Sequence, residues 1–373
     1  MKRIDYRSEL GLPRTINASG TLTSFGGSRV RAEAAVAMAE ASGNFVDMEL
    51  LLKKSGERIA DLLGVDAALI TAGASPGIIQ SIAACIAGTD PYLRNLLPSA
   101  PPARSEVIIH RSHRNPYDNA VPTAGATFVE IGDCIKTHPW ELESAITERT
   151  AAVFFALQAE MLNASLSLDE TVRIAHAKGV PVVVDAAAEL PPKSNLWTLS
   201  QRGADLVIFS GGKEIGGPQS SGLVVGSRTL VDAARYNGAP NYGVGRPAKA
   251  GKENVLGFLA ALEAYLAEDE KLRMDRMKEK CAFWMRKFGE LEGVEIAPYT
   301  ATQPGMNPIC IPKVFVRKTG VHVAAEVQRL RNSTPSVIVD SWRDGFVLSP
   351  QTLLEGEEEE VFAAVSALLK AVQ

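Results

Sequence analysis

From Leu50 to Gly226 the chain alternates stretches with apolar residues at helical spacing and short runs that are almost wholly apolar. MELLLKKSGERIADLLG places its apolar side chains at helical intervals and stops at Gly64; AALITAG follows as a short buried strand and GIIQSIAACIAG as the next helix. SEVIIH, ATFVEIG and AAVFFAL read as strands, with NPYDNAVPTAG between the first two too short and interrupted to set as a helix. SLDETVRIAHAKG is a helix opened by Ser167 and Asp169, and VPVVVDAAAE, DLVIFS and GLVVG are strands. Continuous apolar strands alternating with helices predict an α/β domain built on a mostly parallel sheet. The proline-rich PYLRNLLPSAPPARSE is expected to be a loop.

After Lys252 the pattern changes. A proline-free stretch rich in Ala, Leu, Glu and Lys runs to about Leu291 and predicts one or two helices leaving the first domain. GVEIAPY, NPICIPKVFV, SVIVDSW and GFVLSP then read as strands, with a helix near HVAAEVQRLRN and another at the end, which makes a small α+β domain. The acidic run EGEEEE at 355–360 opens the terminal helix, where carboxylates favour the positive end of the helix dipole.

Composition narrows the function classes. The 373 residues are 46% hydrophobic and 22% charged, enough for a large core and two domains. A net charge of −4 and a pI of about 5.9 give no broad basic field for nucleic acid or an anionic membrane. The four cysteines lie far apart with no CxxC, the N-terminus has no apolar export core, and no run approaches the roughly 18 to 20 apolar residues of a membrane span. A cytoplasmic protein is expected. His110 and His113 stand close together, but without an HExxH no metal site is expected.

Three stretches carry chemistry. In DLVIFSGGKEIGGPQSSGLVVG a lone lysine, Lys213, falls just past the end of a strand, where parallel α/β sheets bind ligands. A desolvated lysine has a lowered pKa and the nucleophilicity to form a Schiff base with an aldehyde; the flanking glycines leave room for a flat ring, and Ser210 offers a hydroxyl to a phosphate. The other reading is an ordinary turn lysine. Asp185 closes the apolar strand VPVVVD, and a carboxylate there needs a partner, which the ring nitrogen of pyridoxal phosphate would be; the small Ala187 would lie against one ring face, and the alternative is an aspartate that only caps the next turn. In TAGASPGIIQ the turn Gly73-Ala74-Ser75 opens a helix whose amides, with the Ser75 hydroxyl, make a phosphate cradle. It is neither a Walker sequence nor a three-glycine dinucleotide fingerprint.

Phosphate cradle, then Asp185, then Lys213 twenty-eight residues later is similar to the chain order of aminotransferase-like, fold-type-I pyridoxal phosphate enzymes. INASGTLTSFGGSRV, GVDAALITAGASPGI, HRSHRNPYDNAV, VVVDAAAELPP and FSGGKEIGGPQSSGLVVG, spread over residues 15 to 355, resemble the selenocysteine-synthase-like branch, which includes the D-glucosaminate-6-phosphate ammonia-lyases. The resemblance implies pyridoxal 5′-phosphate, Lys213 as Schiff-base lysine, Asp185 as pyridinium partner, and a large domain with a seven-stranded-type sheet. It implies three regions: an N-terminal segment, 1–48, that packs with the small domain and a partner; a cofactor-binding domain, 49–251; and a small domain, 252–373, begun by a long linking helix. It makes His113 the wall over the second ring face, or else a histidine satisfied by backbone groups.

Two departures from the branch matter. Selenocysteine synthase carries an N-terminal tRNA-binding domain where this sequence has only a short segment before INASG, so action on tRNA or other nucleic acid is not expected. Relatives carry arginine after the late strand of the small domain where this chain has Gln351, so the substrate's anionic anchor is open, with Arg111, Arg246 and Arg343 as candidates. The implied protein is a homodimer or higher homo-oligomer with shared active sites, in which YNGAPNYGVGRPAKAGKENV reaches a neighbour's phosphate through Arg246, Lys249 or Lys252 or is simply a basic loop.

The expected reaction is lyase chemistry on a polar 2-amino acid: α-proton removal, loss of a β-hydroxyl, and release of a 2-keto acid and ammonia. Racemisation, retro-aldol cleavage and transamination share its early steps and stay open. A pyridoxal-phosphate fold kept only for binding is the alternative from another class.

Overall fold

The apolar runs between residues 67 and 226 are the strands of one sheet in the computed structural model, which describes residues 5–158, 162–299 and 310–371. After a short first strand, β1 (Thr15–Asn17), come β2 (Ala67–Thr71), β3 (Glu106–His110), β4 (Thr127–Ile131), β5 (Thr150–Ala156), β6 (Val182–Asp185), β7 (Leu206–Ser210) and β8 (Gly222–Gly226). Their order across the sheet is β2-β8-β7-β6-β5-β3-β4. All neighbours are parallel except that β8 runs antiparallel to both β2 and β7. Every residue of β5 and β8 is buried, which explains their unbroken apolar sequences, whereas edge strand β4 exposes Thr127 and Glu130. The expected α/β, fold-type-I sheet with helical crossovers is the one observed.

The helix ends follow local chemistry. Asp47 accepts hydrogen bonds from the Glu49 and Leu50 amides to open the helix Met48–Leu63, which stops at Gly64 with φ 64°. Ser167 caps Leu168–Ala177 through the Glu170 amide. The proline-rich stretch after residue 90 is not all loop: Pro91–Leu96 is a helix, because Asp90 accepts from the Tyr92 and Leu93 amides and Pro91 sits at the first helical position, where its missing N–H costs nothing.

The chain falls into two compact units, 29–268 and, among the described residues, 5–28 with 269–299 and 310–371. The sequence reading drew its boundaries at 48/49 and 251/252. The larger unit takes in the helices Ala32–Ser42 and Lys252–Ala267 because they pack along one another, so closely that a side chain at Gly257 would press on Met38. Asp269 accepts from the Leu272 amide and starts a separate helix, Glu270–Gly289, in the second unit. That unit holds β9 (Val294–Tyr299), β10 (Lys313–Lys318), β11 (Ser336–Ile338), β12 (Asp340–Trp342) and β13 (Gly345–Leu348). Four of them form an antiparallel sheet in the order β12-β13-β10-β9, while β1 pairs in parallel with β11. Trp284, Phe288, Phe346 and Leu369 fill its core. The first part of NPICIPKVFV lies outside the described residues. Among the described residues no helix is long and apolar enough to cross a membrane.

Candidate active site

Most of the residues singled out in the larger unit meet at one edge of its sheet. Thr71, Gly222 and Ser210 are register partners across β2, β8 and β7; Ile208 of β7 faces Asp185, and Asp185 faces Ala156 of β5. Since β2, β7, β6 and β5 are mutually parallel, this edge collects their carboxyl ends, where the following loops are free to bear functional groups.

Lys213 stands in the loop between β7 and β8, and the loop is folded tightly on itself. The Gly211 amide donates to the Ser221 carbonyl at 2.8 Å, Gly217 to the Gly211 carbonyl at 2.9 Å, and Gly216 to the Lys213 carbonyl at 3.0 Å. The glycines do not leave room for a ring. A side chain at Gly211 would run into Ser221 and Phe258, and one at Gly212 would lie 2.6 Å from Gln219 Cα, so they are needed for the two limbs of the loop to touch. Gly216, at φ 71°, makes the turn.

Arg31 fastens this loop from outside. Its amide donates to the Gly216 carbonyl and its Nε to the Ile215 carbonyl, both at 2.8 Å, while its terminal nitrogen pairs with Glu268 at 2.8 Å. Arg31 also lies over the Tyr265 ring, with Lys193 near the same ring. The sequence reading missed this buttress, and no local signal could have shown it, since the partners are 184 and 237 positions apart.

The electrostatics centre on two opposed groups. Burial pushes the Lys213 ammonium down from the usual lysine range, against the opposite pull of Asp185 and then Glu189. Burial pushes the Asp185 carboxyl up, against the Ala187 amide, which donates to it at 3.0 Å, and the Lys213 charge. Each is therefore a group whose charged form the site tolerates only with a partner. Glu189 was also missed; its signal was a lone carboxylate four residues beyond Asp185 in an otherwise apolar stretch.

The helix Ala74–Ala87 begins at Gly73, φ 142°, with no side chain capping it, so its first amides are available to an anion, beside the exposed Ser75. Thr71 Oγ1 donates to the Gly73 carbonyl at 2.8 Å and fixes the turn. β8 passes so near that a side chain at Gly222 would lie 2.5 Å from Gly73 C and 2.8 Å from Thr71 Oγ1. Gly222→Ala is accordingly expected to displace this turn and lower stability by about 1–3 kcal/mol, measured as a fall in urea midpoint at unchanged slope.

His113 follows β3 and is fully buried; its Nδ1 accepts the Ala156 amide at 3.3 Å, the backbone satisfaction that the sequence left as an alternative. Burial pushes its pKa down to about 3, aided by His110, and burial pushes His110 down to about 4. Both values lie below the unfolded value of 6.5, so the unfolded chain binds more protons as pH falls through that window and stability is lost. Between pH 7.5 and 5 each ring is expected to cost about 2 kcal/mol, read from urea unfolding at the two pH values; His110→Phe should remove its share of the slope.

The contacts of the candidate arginines are with other residues. Arg111 pairs with Glu130 of β4 at the far edge of the sheet, at 3.1 Å. Arg114 pairs with Asp118 at 2.6 Å and with Glu130. Arg246 lies in the loop after Asn237, stacked on Tyr242, with its Nε buried and without an acceptor. Lys252 donates to the Ala41 carbonyl at 2.6 Å and pairs with Glu253. Arg343 forms the β12–β13 turn of the smaller unit at φ 51°, over Trp342. Gln351 is buried in that unit, beside Gly20.

Residues 15–278 match the family model described as SelA, L-seryl-tRNA selenium transferase. The chain is 37% identical to a D-glucosaminate-6-phosphate ammonia lyase of Salmonella typhimurium over 262 residues, 69% of each chain. It is 31% identical to a 5'-C-glycyluridine monooxygenase-decarboxylase of a Streptomyces species over 372 residues, 96% of this chain and 91% of that one. Among solved structures, that of D-glucosaminate-6-phosphate ammonia-lyase superposes with a TM-score of 0.83 at 28% identity, covering both chains fully.

Proposed function

Because the chain belongs to the SelA, L-seryl-tRNA selenium transferase, family, we propose that its sheet edge is the active site of a lyase that releases ammonia from a polar 2-amino acid. It is a pyridoxal-phosphate-dependent enzyme of fold type I. The observation that carries the reading is that Asp185 ends β6 and Lys213 stands in the loop just past the neighbouring β7, with burial working against the charged form of each.

The residues fit the cofactor. Asp185 offers a carboxylate in need of a cation and would hold the pyridinium nitrogen; the uncapped amides of Gly73, Ala74 and Ser75, with Ser210, would take the phosphate. Ala187 and His113 would border the ring, and Lys213 would carry it. Bound there, the cofactor supplies an electron sink for negative charge at the substrate α-carbon. The chain's own residues do the proton work. Burial works against the charged form of Lys213 and so favours the neutral amine that would take the proton from the α-carbon and return it to a departing β-hydroxyl. Water lost at the β-carbon is balanced by water consumed when the nitrogen leaves as ammonia, giving a 2-keto acid. Arg246, with an unsatisfied buried Nε, is the first choice for the substrate's or a neighbour's anionic group, ahead of Arg343 and Arg111.

The working form is a homodimer or larger homo-oligomer in the cytoplasm. Phe45 is fully exposed, with Val36, Val46 and Leu50 also exposed nearby in sequence, an apolar surface suited to a second copy. The near full-length match to the Streptomyces protein favours a second reading, oxygen-dependent decarboxylation. Incubating the loaded protein with D-glucosaminate 6-phosphate and related polar 2-amino acids, in air and under nitrogen, separates the possibilities. Ammonia and keto acid in both atmospheres, without an added amino acceptor, are the expected result. Carbon dioxide only in air, an aldehyde product, or α-exchange in heavy water without keto acid would each contradict it.

A further inference from the structure

His113 holds a hydrogen-bond donor that nothing in the described structure accepts. Its Nδ1 lone pair takes the Ala156 amide at 3.3 Å, so Nδ1 bears no proton, and in a neutral imidazole the hydrogen must then sit on Nε2. Burial keeps the ring neutral. Nε2 is itself buried and has no partner. The two rings beside it do not serve: His110 lies with its centroid 4.7 Å away at 48°, and Phe155 presents itself at 4.5 Å and 82°. A buried N–H without an acceptor is unfavourable, and such groups in native proteins call for a ligand or ordered water. The imidazole is tied to Ala156, the register partner of Asp185 on the neighbouring strand, so it is anchored beside the strand end that carries the carboxylate assigned to the cofactor ring.

We propose that His113 donates from Nε2 to an oxygen of the molecule bound beside Asp185, so that the position supplies a hydrogen bond and not only a flat ring. The inference rests on the cofactor reading above. The acceptor is an oxygen, carried either by the cofactor ring as its 3-hydroxyl oxygen or by the amino-acid substrate.

Three substitutions separate the parts of the side chain. His113→Gln keeps an N–H near Nε2, His113→Phe keeps the ring plane alone, and His113→Asn keeps an acceptor for the Ala156 amide. Dissociation constants are measured by absorbance for pyridoxal 5′-phosphate, then for D-glucosaminate 6-phosphate on the loaded protein. The Phe variant is expected to weaken one of the two by about tenfold, with Gln close to wild type. Weakened cofactor binding assigns the acceptor to the cofactor; unchanged cofactor binding with weaker amino-acid binding assigns it to the substrate. Wild-type affinities in the Phe variant, or equal losses in Phe and Gln with both restored in Asn, would overturn the inference while leaving the cofactor reading intact. A wild-type chain that takes up no pyridoxal phosphate would overturn both. Should the Phe variant not fold, the Nε2 proton of histidine-labelled wild-type protein is followed by NMR: a downfield move on adding one of the two ligands supports the donor, and a proton unmoved by either refutes it.

Discussion

Lys213→Ala is expected to lower kcat by about 10^4-fold and to abolish the visible absorbance that pyridoxal phosphate gives the wild-type protein. The size follows from the two roles proposed for this one amine, attachment of the cofactor and transfer of the substrate α-proton. The charges acting on it are the carboxylates of Asp185 and Glu189, whereas the buried Lys193 is committed to the Leu266 and Glu268 carbonyls. The substitution should leave the fold intact, because the loop is held by backbone hydrogen bonds and by Arg31, none of which uses the Lys213 side chain. A urea midpoint at or above the wild-type value, with activity gone, is the expected combination; small-amine rescue of proton transfer would confirm that the lost group is the base.

Asp185→Asn comes second in size, with an expected fall of about 10^2- to 10^3-fold in kcat/KM. The amide retains an oxygen for the Ala187 amide but has no charge to hold a protonated ring nitrogen, so the electron sink weakens. In the cofactor-free protein the effect on stability should have the opposite sign. Burial raises the Asp185 pKa on folding, so its carboxylate costs stability as pH rises from the ordinary carboxylate value through the raised one. The Asn variant lacks that cost and should unfold at higher urea at neutral pH, yet gain less than wild type when pyridoxal phosphate is added. A variant both less active and less stable without cofactor would show that Asp185 holds the fold rather than the ring.

How much of this could be read from sequence depended on how local the cause was. β5 and β8 were legible because burial on both faces leaves an unbroken apolar run, and Asp185 and Lys213 because a charged residue at the end of such a run is conspicuous. The role of the glycines around Lys213 was misread, since what they meet, Gln219, Ser221 and Phe258, is fixed by the closed loop and not by spacing. Asp90 and Pro91 together start a helix that the prolines further on concealed. The pairing of Arg111 with Glu130 joins the end of β3 to the neighbouring strand β4, which residue spacing does not encode. The Arg31 clamp and the His113 tautomer depend on contacts with distant carbonyls and amides, which no pattern of residue types encodes.

The central claim is that the amine at Lys213 carries the cofactor. Purified protein is incubated with pyridoxal 5′-phosphate, reduced with borohydride, digested, and its peptides are sequenced by mass spectrometry. The account predicts a single phosphopyridoxyl adduct, on Lys213. An adduct on another lysine, or none on protein that still catalyses the reaction, would contradict it.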